Sequence, residues 1–133
     1  MAKADFLKEK AEAFLENGKE KLNQEVYFLA AFNFEQAAQL YLKYCFFLKL
    51  KDFPKIHEID QLLQQLAKVY KKKEVVNKFL KKHASVIGDL NQAYITSRYL
   101  PVEFNKYQVE KMEEFVENLI SFLKKYVPKF NLN

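Results

Sequence analysis

Apolar side chains recur along the N-terminal part of the chain at spacings of three and four residues, as they do on one face of an α-helix. Residues 3–17 carry such a stripe, and Asn17 and Gly18 then supply a stop signal, so a first helix is predicted to end there. From about residue 22 to residue 50 the sequence is apolar almost all round, which predicts a long central helix buried against several neighbours. Pro54 disfavours helical geometry at the preceding residue and donates no backbone hydrogen bond, so this helix is predicted to end before it.

Three more helical patterns follow along the chain. The first is an apolar stripe from Ile59 to Tyr70, and the second covers residues 74–83 and runs on, as a further helix or a continuation, to about Tyr99. The last pattern covers about residues 105–127 and sets a wide apolar face opposite glutamate and lysine. No alternating strand pattern occurs, so the chain is predicted to be all-α, an antiparallel up-and-down bundle of about five helices.

Length and composition fit this fold class. The 133 residues suit one domain, so residues 1–133 are predicted to form a single helical domain. The longest apolar stretch is interrupted by polar residues too often to span a bilayer, and the first residues lack the pattern of a secretory signal. The lone Cys45 allows neither an intrachain disulfide nor a cysteine-based metal site. These features favour a cytoplasmic protein with no membrane association.

Several classes of cofactor enzyme are excluded by what the chain lacks. Gly18 and Gly88 are too few and too far apart for a dinucleotide fingerprint or a P-loop. His57 and His83 form no local metal motif, and His83 is interpreted as an ordinary surface or helix-end residue. Neither a metal ion nor another cofactor is therefore predicted.

Positive charge is concentrated between residues 68 and 82, where seven lysines stand against Glu74 in a chain whose formal net charge is +5. Such a basic patch attracts a phosphate backbone or an acidic partner, and it also fits a solvated lysine-rich surface. The lysines considered for binding are Lys71, Lys72, Lys73, Lys78, Lys81 and Lys82.

Polar residues interrupt the long apolar helix along one line. Gln36, Gln39 and Lys43 lie within about 60° of one another, because each residue advances about 100° around an α-helix. This seam is either the exposed line of the helix or a polar cleft in which Lys43 meets a phosphate or a carboxylate. His57, at the entry to the third helix, is either a packed or capping-region residue or one that faces a ligand.

Arg98 is the one arginine among 22 lysine and arginine residues. Its guanidinium is a planar, permanently charged fork that an ammonium does not reproduce. The helix C-terminus, the ring of Tyr94 and the carboxylate of Glu103 all support a structural role for it. Its functional interpretation is a bidentate grip on a phosphate, with Tyr94 or Tyr99 stacking on a base.

Three segments followed by a long amphipathic helix resemble the HEPN domain family, the nucleotide-binding domain of higher eukaryotes and prokaryotes. The segments are AAFNFEQAAQLYLKYCFFLKL, KIHEIDQLLQQL and LNQAYITSRYLP, and their order and spacing cover nearly the whole chain. The residues that match the family pattern are Ala31, Gln36, Ala37, Lys43, His57, Ile59, Leu62, Leu63, Arg98, Tyr99 and Pro101.

The resemblance implies a helical bundle that forms a homodimer and acts beside a small nucleotidyltransferase in a toxin–antitoxin-like pair. Several HEPN branches are metal-independent ribonucleases with an Arg-x(4–6)-His motif, in which the arginine steadies the phosphate and the histidine handles the proton. Counting from Arg98, the histidine positions hold Glu103, Phe104 and Asn105. No catalytic residue is therefore predicted.

The resemblance also implies an acidic residue at the position that Gln39 occupies. The function expected is binding of a nucleotide or of RNA phosphate, and the two alternatives are a ribonuclease with a rearranged active site and a purely structural interaction module. The residues expected to bind are Arg98, Tyr99, Lys43, Gln36, His57 and Tyr94.

Overall fold

The computed structural model describes the backbone of residues 3–99 and 103–131, and their side chains apart from those of Lys3, Ser97 and Arg98. Within these ranges the chain forms six α-helices and no strand, so the predicted all-α class is confirmed. The helices are α1 (Lys3–Asn23), α2 (Tyr27–Leu50), α3 (Ile59–Tyr70), α4 (Lys73–Lys82), α5 (Ala84–Tyr99) and α6 (Lys106–Tyr126).

The predicted number of about five helices is one too few. The pattern after residue 74 consists of two helices, α4 and α5, because His83 between them leaves helical geometry, with φ −111° and ψ 17°. His83 is thus the helix-end residue that the sequence predicts. Gly88 does not interrupt α5, which runs unbroken past it.

The first helix is longer than its apolar stripe and its stop signal predict. It passes through Asn17 and Gly18 and ends at Asn23, and the chain then turns at Glu25, whose φ is 65°. The second helix consequently begins at Tyr27 and not near residue 22. The predicted end of α1 was wrong because Gly18 serves a packing purpose.

Gly18 is buried where α1 crosses α2. A Cβ added to it would lie 2.5 Å from Cε1 and 2.7 Å from Cδ1 of Phe34, whose side chain is fully buried. Real Cβ atoms do not approach other heavy atoms so closely, so a side chain at this position would displace the ring. The absence of a Cβ therefore allows α1 and α2 to approach each other.

The apolar sequence of α2 packs against α1, α3, α5 and α6. Its end is set as predicted: Leu50 is the last helical residue, and Lys51 in the left-handed region donates its backbone N–H to the carbonyl of Phe47. Within the described ranges, no helix combines the length with the continuous apolar character that crossing a bilayer requires.

The segment after α6 folds back onto α2. The ring of Phe130 is buried and meets the ring of Tyr44 edge-on at 5.4 Å between centroids. The carbonyl of Phe130 accepts hydrogen bonds from the Tyr44 hydroxyl at 3.1 Å and from Lys8 Nζ at 3.2 Å. These contacts fix the end of the described chain beside the C-terminal half of α2.

Candidate functional site

A ladder of polar side chains runs along α2 inside the packed bundle. Glu35 is fully buried, and its Oε1 accepts a hydrogen bond of 2.7 Å from Gln36 Nε2. Its Oε2 accepts one from Gln39 Nε2, and Gln39 Oε1 in turn accepts one of 3.2 Å from Lys43 Nζ. Residues 35, 39 and 43 are spaced by four, so the Glu35–Gln39 and Gln39–Lys43 hydrogen bonds each span one turn of the helix.

The ladder ends in a partly desolvated cation. Burial lowers the pKa of Lys43, and the carboxylate of Glu35 acts in the opposite direction. Lys43 Nζ also lies 5.5 Å from the centroid of the Phe53 ring. An ammonium that has lost part of its water interacts more strongly with an anion than one in bulk solvent does.

The ladder corrects the sequence interpretation of this seam. An exposed line was one of the two alternatives, and it is wrong for Gln39, which is only 5% exposed. Glu35, which anchors the ladder, was not among the predicted site residues. The spacing Glu35, Gln39, Lys43 was visible in the sequence and is the signal that would have found it.

A cleft of about 420 Å³ opens between the segment that precedes α3 and one face of α5. At its edge the imidazole of His57 stacks on the ring of Tyr94, with centroids 4.3 Å apart and planes inclined by 13°. The His57 side chain is 46% exposed, and its Nε2 lies 3.9 Å from Glu58 Oε1. The rest of the lining comes from Gly88, Asn91, Gln92, Ile95 and Thr96.

One α5 side chain holds the His57 segment in place. Glu58, at the N-cap position of α3, makes no side-chain capping bond. Asn91 caps the helix in its place: its Oδ1 accepts the Ile59 N–H at 2.9 Å, and its Nδ2 donates to Asp60 Oδ1 at 2.9 Å. Because the cap comes from α5, it holds the start of α3 against the helix that carries Tyr94.

Asn91→Ala is expected to lower the free energy of unfolding by about 1–2 kcal/mol, because it removes a helix cap and leaves the Ile59 N–H without its acceptor. Urea unfolding measures the loss. Gln92→Ala, at the exposed next position of the same helix, is the matched control and is expected to change stability by less than about 0.5 kcal/mol. Equal losses in the two variants would contradict the capping role of Asn91.

The fold brings some predicted site residues together and keeps others apart. His57 and Tyr94 meet at the cleft, whereas Lys43 and Gln36 belong to the α2 ladder and do not line it. Tyr99, at the end of α5, is 72% exposed.

The remaining predicted positions fall at or beyond the end of α5. The α5 backbone carries position 98 one turn beyond Tyr94, and the Arg98 side chain lies outside the described residues. Pro101 lies outside them as well.

The chain matches a family model over nearly its whole length. The family model described as HEPN domain matches residues 4–126, from the first turn of α1 to the last residue of α6. The chain belongs to the HEPN domain family. Comparison with curated proteins and with solved structures gives no match. Membership of the HEPN family points to a function connected with nucleotides or RNA.

Three positions of this HEPN chain could hold the histidine of the ribonuclease motif, and the structure shows what occupies each of them. Phe104 is a core residue, 6% exposed. Asn105 is the N-cap of α6, where its side chain accepts the Gln108 N–H at 2.8 Å while Gln108 Oε1 accepts the Asn105 N–H at 3.0 Å. Glu103 is exposed. Two of the three positions thus contribute to folding.

The ladder also accounts for Gln39, where the HEPN resemblance implies an acidic residue. In this HEPN chain a carboxylate lies one turn earlier, at Glu35, and the amide of Gln39 connects it to Lys43 through two hydrogen bonds. A charged pair is therefore bridged by a neutral side chain. The ammonium keeps an electrostatic partner without direct contact between the two charges.

The basic patch of this HEPN chain lies on the turn between α3 and α4 and on α4 itself. All six of its lysines are exposed. Lys71 adopts a left-handed conformation with φ 56° and ends α3. The patch and the His57 cleft are separate, since no patch lysine lines the cleft.

Proposed function

We propose that this HEPN protein binds a nucleotide or an RNA phosphate at the His57 cleft. The observation that carries the proposal is the stack of His57 on Tyr94 at the edge of a cleft large enough for a base. His57 presents its remaining surface to solvent, and a base stacks on such a ring with little dependence on sequence. Tyr94 supports the imidazole from behind.

Phosphate recognition is assigned to Arg98 and Lys43. Position 98 follows Tyr94 by one turn of α5, and we assign to its guanidinium the bidentate grip on a phosphate attached to a base at His57. Lys43 does not line the cleft, and it is proposed as a second cation for the parts of the ligand that extend beyond it towards α2, where burial strengthens its attraction for anions. Gln36 and Tyr99 complete the proposed set as polar and aromatic contacts.

The wider setting of the proposal rests on the family resemblance. The whole chain is taken as one domain, an up-and-down antiparallel bundle around α2 that forms a homodimer in the cytoplasm. A small nucleotidyltransferase is its proposed partner in a toxin–antitoxin-like pair. Co-purification with such a partner, when the two genes are expressed together, tests this part separately.

Calorimetric titration with ATP and with a short RNA tests the binding site. His57→Ala and Arg98→Ala are each expected to weaken binding at least about fivefold, since a stacking contact or a charge-assisted hydrogen bond contributes about 1–3 kcal/mol. His83→Ala removes the other histidine, which lies outside the cleft, and is expected to leave affinity unchanged. Melting temperatures confirm that each variant is folded.

Absence of ATP and RNA binding by the wild-type protein would overturn the proposal. It would favour the purely structural interaction module, for which partner affinity survives Arg98→Ala. Equal affinities of His57→Ala and His83→Ala would show that binding occurs away from the cleft.

A second candidate function is a metal-independent ribonuclease with a rearranged site. The favouring observation is that the fold places His57 against α5, one turn from position 98, although the two are far apart in sequence. In this mechanism the imidazole of His57 takes the proton of the ribose 2′-hydroxyl, whose oxygen attacks the phosphorus while Arg98 steadies the phosphate. The bond from phosphorus to the 5′-oxygen breaks, the 5′-oxygen leaves with a proton from water, and a 2′,3′-cyclic phosphate is formed. RNA cleavage by the wild-type protein in the presence of a chelator supports this candidate if His57→Ala and Arg98→Ala both abolish it. Absence of cleavage by the wild-type protein would rule the candidate out.

A further inference from the structure

A lysine-lined groove lies at the C-terminal end of α2. Its volume is about 640 Å³, and its described lining includes no carboxylate. Five exposed lysines from four segments of the chain line it: Lys49, Lys72, Lys124, Lys125 and Lys129. Such a concentration of one sign of charge around a concave surface raises the local concentration of anions.

The fold assembles this groove from helix ends. Lys49 lies in the last turn of α2, Lys72 precedes α4, and Lys124 and Lys125 close α6. Lys129 comes from the segment that the buried Phe130 fastens to α2. Only Lys72 belongs to the basic patch predicted from the sequence.

Two tyrosine rings hold lysine side chains in the groove. Lys49 Nζ lies 5.0 Å from the centroid of Tyr70, whose hydroxyl donates a 2.6 Å hydrogen bond to the carbonyl of Cys45. Lys125 Nζ lies 5.3 Å from the centroid of Tyr126. Because an ammonium group already lies over one face of each ring, the rings restrict the lysine side chains and are not available to stack on a base. The groove is therefore suited to binding anionic groups and not to base stacking.

The lysines do more than neutralise the helix ends around them. The C-termini of α2, α3 and α6 meet here, and each carries about half a negative charge. Five ammonium groups exceed that total by about three and a half charges. The groove therefore keeps a net positive potential that an anionic partner can satisfy.

We propose that this groove binds the sugar-phosphate backbone of single-stranded RNA, in addition to the His57 cleft. Ammonium groups contact phosphates without reading sequence, which suits a strand that passes over the protein. The choice of RNA over an acidic protein rests on the nucleotide- or RNA-binding function proposed above. Lys49 follows Lys43 by six residues, about 9 Å along α2 and about 120° around it, so the groove is a contact distinct from the ladder.

Fluorescence anisotropy with a labelled oligouridylate of about 12 nucleotides, over a series of salt concentrations, tests the groove. Lys72→Gln/Lys124→Gln is expected to weaken binding at least about fivefold at moderate salt. It is also expected to reduce the slope of log affinity against log salt by about 1.4, because each phosphate neutralised on a single strand contributes about 0.7. The control Lys10→Gln/Lys106→Gln removes the same charge from exposed lysines outside the groove and is expected to change neither quantity.

Identical affinity and salt slope in the groove variant and its control would overturn the proposal. So would polyglutamate that binds with the same lysine dependence and displaces the oligouridylate, because the groove would then suit an acidic protein. The His57→Ala variant separates this inference from the proposed function. Oligouridylate binding that depends on the groove lysines, with ATP and oligouridylate affinities that His57→Ala leaves unchanged, would support the groove and overturn the cleft.

Discussion

Gly18→Ala is expected to lower the free energy of unfolding by about 2–3 kcal/mol. Alanine is the better helix former by about 1 kcal/mol, so the substitution would stabilise α1 if packing did not intervene. Packing does intervene, since the new Cβ would lie 2.5 Å from a fully buried aromatic ring. Either Phe34 leaves its rotamer or α1 moves away from α2, and both disturb the core.

The other glycine of the chain is the matched control for this prediction. A Cβ on Gly88 would meet nothing within 4 Å, and Gly88 is exposed in the interior of α5. Gly88→Ala is therefore expected to stabilise the protein by up to about 1 kcal/mol. Urea unfolding measures the stability of both variants. A loss of stability in Gly88→Ala as well as in Gly18→Ala would contradict this account. Partial recovery in Gly18→Ala/Phe34→Leu would locate the clash at the ring.

Glu35→Ala is expected to lower the free energy of unfolding by about 3–4 kcal/mol. The substitution removes a fully buried carboxylate that accepts hydrogen bonds from Gln36 and Gln39, so two amide donors lose their acceptor. Lys43 loses the charge that opposes the lowering of its pKa by burial, so its pKa is expected to fall further. Denaturant unfolding measures the first effect, and NMR titration of the lysine side chain measures the second.

Glu114→Ala is the matched control for Glu35→Ala. Glu114 forms an ion pair of 3.5 Å with Lys111, but both side chains are well exposed. Its loss is expected to change stability by less than about 0.5 kcal/mol. If the two glutamate variants were equally stable, the Glu35 ladder would not be a stabilising network, and its role as the support of Lys43 would fail with it.

The sequence was sufficient for features that depend on local chemistry. Pro54 placed the end of α2, and the wide apolar stripe near the C-terminus placed α6 to within about one residue at each end. Arg98, His57 and Tyr94 were selected from residue type and from the family pattern. The contact between His57 and Tyr94 depends on how the segment before α3 packs against α5. It could not be predicted from the spacing of the two residues in the sequence.

Features that depend on packing between distant segments were missed. Gly18 resembles a stop signal, and only the position of Phe34 on the neighbouring helix shows why glycine is needed. The cap of α3 comes from Asn91, 32 positions after the N–H that it binds. The lysine groove likewise combines segments that extend from residue 49 to residue 129. Charge counted along the chain detected only one of these segments.

The three positions at which the ribonuclease motif would hold its histidine, counted from Arg98, differ in how freely they can change. Phe104 is enclosed by apolar neighbours, and Asn105 closes the first turn of the helix that follows, so an imidazole at either place would compete with folding. The Glu103 side chain is exposed and has no such structural role. A histidine at position 103, the shortest spacing of the ribonuclease motif, would therefore complete that motif at the least cost to the stability of the fold.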